Sequence, residues 1–166
     1  MNEISESTET FVALACPEQW ISLGEFAVTE PDESSTAMEL VHPILELRFQ
    51  AAQAAALGEG VELYISSGFR SLERQNFLFE NEVRQRGSET EAAKWVLPGK
   101  FSHHPKGLAL DVNYPNDPTG AKWLDQYGYR FGLCRVYENE WWHFEAVTRP
   151  GMPCPALAPN ALVDLP

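Results

Sequence analysis

The order of its elements places this chain in the α+β class, as a single small domain with a mainly antiparallel sheet and helices packed on it. Three observations carry that expectation. Helical periodicity dominates from residue 38 to residue 97, short alternating runs dominate from 107 to 147, and nothing alternates as regular βαβ units. With 166 residues, 44% of them hydrophobic, the chain can bury one core without disulfides or structural metals.

Residues 1–35 form an acidic, Ser/Thr-rich arm of weak periodicity that ends in TEPDESST, a linker by composition. Within it only QWISLGEF has the makings of local order. From Met38 to Leu57, Leu40, Ile44, Leu47 and Ala51 recur at helical spacing, Pro43 suits a first turn, and GEG at residues 58–60 stops the helix. Those four side chains are expected to face the core. VELYISSGF alternates as a strand, and SLERQNFLFENEVRQRG follows as a helix ended by Gly87. In SETEAAKWV, Ser88 and Glu91 have capping-box spacing, and this short helix stops before Pro98. GLALDVNY then reads as a strand, TGAKWLDQYG as a helix, and FGLCRVY and WWHFEAV as two strands near enough to form a hairpin. Residues 36–150 make up the folded domain, and the Pro-rich residues 151–166 read as an extended tail. No internal repeat is present.

The formal net charge is -12, from 24 acidic and 12 basic residues, which repels polyanions and argues against nucleic acid or an anionic membrane as partner. A small neutral or locally cationic substrate fits better, and a monomer is expected. Residues 1–47 contain no Lys or Arg and no apolar run long enough to span a membrane, so no export signal is visible and the chain reads as soluble. ALAC at Ala13–Cys16 faintly resembles a lipoprotein cleavage box, but the segment before it is acidic and its apolar run very short. Cys16, Cys134 and Cys154 are odd in number and lack CxxC spacing, so reduced structural thiols are expected, with Cys134 a small buried hydrophobe in a strand.

The chemistry is concentrated in SHHPKGLALDV and ENEWWHFE. Pro105 and Gly107 exclude a helix through the first, so His104 belongs to a bend at the mouth of the strand. Alternation then sends Ala109 and Asp111 to one face and Leu108 and Leu110 into the core. In the second stretch Trp142 and Phe144 share one face, and Trp141, His143 and Glu145 the other. His143 can therefore meet Asp111 across paired strands. Two imidazoles and one carboxylate make a three-ligand zinc site with an open fourth position, and Glu140, three residues before His143, can act as base without holding the metal. A lone strand Asp or a lone His is more often capped or hydrogen-bonded than a ligand; here the features occur jointly.

Together these residues resemble the VanY-like D-alanyl-D-alanine carboxypeptidases and related peptidoglycan metallopeptidases. The family pattern SxHxxGxAxD stands here as Ser102, His104, Gly107, Ala109 and Asp111, and ExWH as Glu140, Trp142 and His143. SSGFRSLERQ is similar to the family's SGYRS segment with a Gln beyond it. The resemblance spans roughly residues 40–147 and implies a small α+β zinc-peptidase fold. It implies one zinc held by His104, Asp111 and His143, Glu140 as catalytic base, and Arg70 beside the developing oxyanion. The implied activity is removal of terminal D-alanine from peptidoglycan peptides, with endopeptidase or dipeptidase action on the same site as alternatives. Trp141, where relatives often carry Pro, would alter the cleft wall, and Gln75 and Ser102 are candidate substrate contacts, although Ser102 equally suits a turn. His103 is the weaker alternative to His104. His42 suits a helix start, Asp117 and Asp125 caps or surface, and Glu145 a solvated edge before a partner of His143 or a rival ligand.

Two rivals differ in class. Two His and one Asp also compose the facial triad of non-haem iron oxygenases, but such triads place the acid nearer the first His and have no use for Glu140. A zinc-bearing binding module would need no base at that position either. The acidic charge also disfavours docking on an intact anionic wall, so free pentapeptides and short muropeptides are the expected substrates.

Overall fold

The first helix, α1 (Pro43–Gly58), is entered through His42, whose Nδ1 accepts the Ile44 N–H at 3.2 Å. The computed structural model describes residues 40–166; the acidic arm and its ALAC segment, QWISLGEF and Cys16 included, lie outside the described residues. The helix is where the spacing predicts it, but its buried face is another one: Leu45, Phe49, Ala52 and Ala56 enter the core, while Leu40, Ile44 and Leu47 are exposed. Apolar residues ring this helix, so periodicity alone does not choose a face. The buried stripe pairs one large ring with two alanines, which lets the helix lie close against its neighbours.

β1 (Ile65–Ser67) leads into α2 (Leu72–Arg86), capped by the Ser71 side chain and closed by Gly87 in the left-handed region. α3 (Glu89–Ala93) starts at Ser88, whose hydroxyl accepts from Glu91 N. A 3-10 turn at His104–Lys106 precedes β2 (Ala109–Val112), and α4 (Pro118–Tyr127) is capped by Asp117. A second 3-10 turn (Gly128–Phe131), β3 (Cys134–Arg135), β4 (His143–Glu145) and a last 3-10 turn (Ala161–Asp164) complete the described chain.

The four strands are antiparallel in the order β1-β2-β4-β3, which matches the expected class and hairpin. Register places Leu110 opposite Phe144 and Asp111 opposite His143. Because side chains alternate, Leu110, Val112 and Phe144 enter one core with α1, Leu124 and Trp123, while Asp111 and His143 emerge together on the other face. Leu108 does not join that core. It lies one residue before β2 and is exposed, since the Gly107 bend ends just ahead of it.

The cysteines overturn the expectation of reduced thiols. Cys134 is buried in β3 as predicted but is bonded to Cys154, 20 residues on. The pairing follows from a chain reversal that spacing does not disclose. The Pro-rich segment is largely irregular but packed: Ala158 pairs with Tyr137, and Ala161, Tyr137, Ala93 and Leu97 form a second apolar cluster.

Candidate active site

His104, Asp111 and His143 converge at the end of the sheet, all buried, with one ligand atom from each lying within 4.8 Å of the others. The bend that delivers His104 depends on Gly107, at φ 68°, where a Cβ would come within 2.4 Å of the Leu40 carbonyl oxygen. Nδ1 of His104 donates to the Gly68 carbonyl at 2.7 Å, which turns Nε2 toward Asp111 Oδ1 at 3.3 Å. His143 is held the other way round, with Nδ1 3.2 Å from Asp111 Oδ1 and Nε2 3.0 Å from Glu145 Oε1. One carboxylate oxygen thus faces one nitrogen of each imidazole, and the opposite nitrogens are fixed by a carbonyl and a carboxylate.

Glu145 is buried, not a solvated edge residue; it bridges His143 and His103, whose Nδ1 lies 2.8 Å away. His103 turns to that carboxylate and stays outside the cluster of three. His42, Asp117 and Asp125 keep away as well: the first two cap helices, and Asp125 lies 3.4 Å from Arg135 Nε.

Arg70 pairs with Asp111 Oδ2, receives anchorage from Ser67 Oγ at 2.8 Å, and donates to Gln75 Oε1 at 3.1 Å. These contacts occupy three of its five N–H groups, so two remain. Gln75 is buried and donates to the Leu97 carbonyl at 2.8 Å, which makes it a brace for Arg70. Ser102 is buried too, and its Oγ accepts from His104 N at 3.3 Å, so it organises the turn.

Glu140 lies over the cluster, Oε2 3.8 Å from His143 Nδ1, with Oε1 buried and unpartnered. Burial pushes its carboxyl up to about 7, against the pull of His143. Asp111 goes the other way: burial opposes its charge, but His104 and Arg70 hold it well below the usual carboxylate range. Burial, with Arg70 adding to it, lowers His104. For His143 burial is outweighed by the hydrogen bonds to Asp111 and Glu145, which raise it to about 10. Two carboxyls five residues apart therefore differ sharply, since Glu145, despite burial, is drawn down to about 2 by His103 and His143.

Arg70, His104, Asp111, Glu140 and His143 open onto a cavity of about 360 Å³ between α2, the segment after α3 and the C-terminal turn. Trp142 lines it and Trp141 does not; Trp141 packs on the main core and against Tyr114, the reverse of the expected faces. The strand begins only at His143, so alternation does not extend back to the tryptophans. Sequence reasoning also missed Tyr137, Tyr114 and Trp95 on the cavity wall. Their isolated aromatic letters carry no spacing signal.

The same cavity is thus lined by a buried carboxyl, a set of metal-type donors and an anchored guanidinium. The chain belongs to the VanY family, D-alanyl-D-alanine carboxypeptidase, whose family model matches residues 38–148. It is 33% identical over 129 residues to the D-alanyl-D-alanine carboxypeptidase of Enterococcus faecalis, covering 64% of this chain and 47% of that one. A crystal structure of a mutant vancomycin-resistance D,D-pentapeptidase VanY in complex with Zn(II) superposes with TM-score 0.57 at 29% identity, covering 65% of this chain and 73% of that one. VanYB in complex with D-alanine-D-alanine gives 0.58 at 29% identity, with 65% and 72% covered. The chain spans about half the length of the curated relatives it matches. Among the described residues no helix is long and apolar enough to cross a membrane.

Proposed function

We propose that this chain is a zinc-dependent D,D-carboxypeptidase that removes terminal D-alanine from peptidoglycan peptides. The observation that carries the reading is Glu140, a buried carboxyl whose Oε2 lies 3.8 Å from His143 Nδ1, beside the His104–Asp111–His143 donors, and whose Oε1 has no hydrogen-bond partner. Two imidazoles and one carboxylate suit zinc with a position left open, and the donor atoms are already turned toward one another. When bound there, zinc supplies Lewis acidity at the scissile carbonyl and acidifies nearby water.

The protein's own groups do the rest. Glu140 accepts the proton of the attacking water and returns it to the leaving amine. Burial raises its proton affinity above that of an ordinary carboxylate, which helps it hold the proton between the two transfers. Arg70, immobilised by Ser67, Gln75 and Asp111, offers its remaining N–H groups to the developing oxyanion without reorganising, a contribution on the order of 3 kcal/mol. Gln75 and Ser102 act by holding Arg70 and His104. Trp142 and Tyr114, with ring centroids 4.3 Å apart, wall the cleft. The Cys134–Cys154 bond supports work in an oxidising compartment.

Incubation with a D-Ala-D-Ala-ended pentapeptide, and separately with purified sacculi, tests the reading by mass spectrometry. Release of free D-alanine from the pentapeptide is expected, with slow action on sacculi. Internal fragments from sacculi with the pentapeptide untouched would replace it with an endopeptidase.

A further inference from the structure

The C-terminal segment lies beyond the residues matched to the family, yet it reaches the cleft. After Cys154 it runs beside the loop that follows β3: Ala158 N donates to Val136 O at 3.0 Å, and Glu138 N to Ala158 O at 2.8 Å. Its last turn is capped by Asn160, buries Ala161 in the cavity wall, and ends at Asp164, which accepts the Tyr137 hydroxyl. Tyr137 is almost wholly buried, and its ring centroid lies 5.2 Å from that of His143, with 34° between the planes.

That contact adds to the support of His143. Its two nitrogens are tied to Asp111 and Glu145, and these ties define a line through the imidazole. Rotation about that line is restrained by the Cγ–Cβ bond, which β4 anchors, so packing on the ring closes only the play that is left. Tyr137 lies against one side, and His104 meets the ring edge-on at 5.2 Å.

We propose that Asp164 is a positioning residue for the His104–Asp111–His143 cluster: by holding the Tyr137 hydroxyl it seats the phenol ring against His143 and fixes the tilt at which Nδ1 is presented to a cation. The inference rests on the reading of these three residues as a metal site, but not on the identity of the peptide cleaved. It makes the C-terminal turn part of the metal centre's support, although the turn contributes no ligand.

Zinc affinity, measured by competition with a chromophoric chelator, tests it on the parent, Tyr137→Phe, Asp164→Ala, the double variant and Asp164→Asn. Loss of an outer partner should weaken zinc binding about tenfold in either single variant. The double variant should be no weaker than the singles, because the two side chains act as one device. Asp164→Asn, which keeps an acceptor, should restore most of the affinity. Unchanged affinity in the singles, or losses that add in the double, would overturn the inference. Should Asp164→Ala not fold, Tyr137→Phe decides alone, since it removes one hydroxyl and no packing. A parent that binds zinc but leaves D-alanine-ended peptides intact sinks the carboxypeptidase reading while the cycle still judges Asp164. A parent that binds no zinc overturns both.

Discussion

The two faces of the sheet are both buried and chemically opposite. Leu110, Val112 and Phe144 sit on one side with no measurable exposure; one residue away on the same strands, Asp111 and His143 are almost as deeply buried on the other. The apolar face is held by hydrocarbon contact and tolerates no loss of volume. The polar face stands because its charges answer one another, Asp111 to Arg70 and two imidazoles, Glu145 to His103 and His143. Glu140 is the exception, buried with an oxygen unanswered. An unsatisfied carboxyl of that kind costs stability and, in the proposed reaction, supplies the base, so under that reading the difference between the faces is a difference between stability and function.

Substitutions on the two faces should therefore act with opposite sign. Phe144→Ala, which empties the apolar side, should cost about 4 kcal/mol in urea unfolding. A loss under 1 kcal/mol would show that the core does not depend on that ring. Glu140→Gln should instead stabilise chelator-treated protein at pH 8, by on the order of 2 kcal/mol. The sign follows from linkage. The folded carboxyl titrates at about 7, against 4.5 as the ordinary value, so the folded state binds more protons between those limits and loses stability as pH rises through them. Gln escapes that loss, and its advantage should vanish below about pH 4.5. The same change should reduce kcat by at least about 100-fold. In the zinc-loaded parent, kcat/KM should climb with pH on the acid side of about 7, as the base loses its proton beside the cation. A flat profile there would remove Glu140 from the reaction. The smallest effect is reserved for Arg70→Lys, where kcat should fall about tenfold, because an ammonium cannot hold Ser67, Gln75 and Asp111 at once. Equal kinetics would mean that the fork geometry is not used.

Much of this arrangement is legible in the chain. Helix starts marked by Ser71, Ser88 and Pro43, the glycine stop at Gly87 and the alternation around Asp111 all depend on neighbours in sequence. Convergence of Asp111 with His143 needs only the pairing of two strands, which their alternation anticipates. What escapes depends on distant contact. The face chosen by α1 is set by what packs on it, and the brace role of Gln75 by a carbonyl 22 residues away. The cysteine pair and the burial of Glu145 require the third dimension in the same way. Trp141 and Trp142 exchange places because β4 starts later than its apolar run.

The packing of Asp164 on Tyr137 also bears on where this fold ends. A boundary drawn at residue 148, where the family match stops, keeps His104, Asp111, Glu140, His143 and Arg70, so a truncated product would pass any inspection of its signature residues. It would nonetheless lack the covalent tie at Cys154, the seal made by Ala161 and the acceptor for Tyr137. The signature residues and the contacts that support them do not share one boundary, because part of the support lies in residues 149–166.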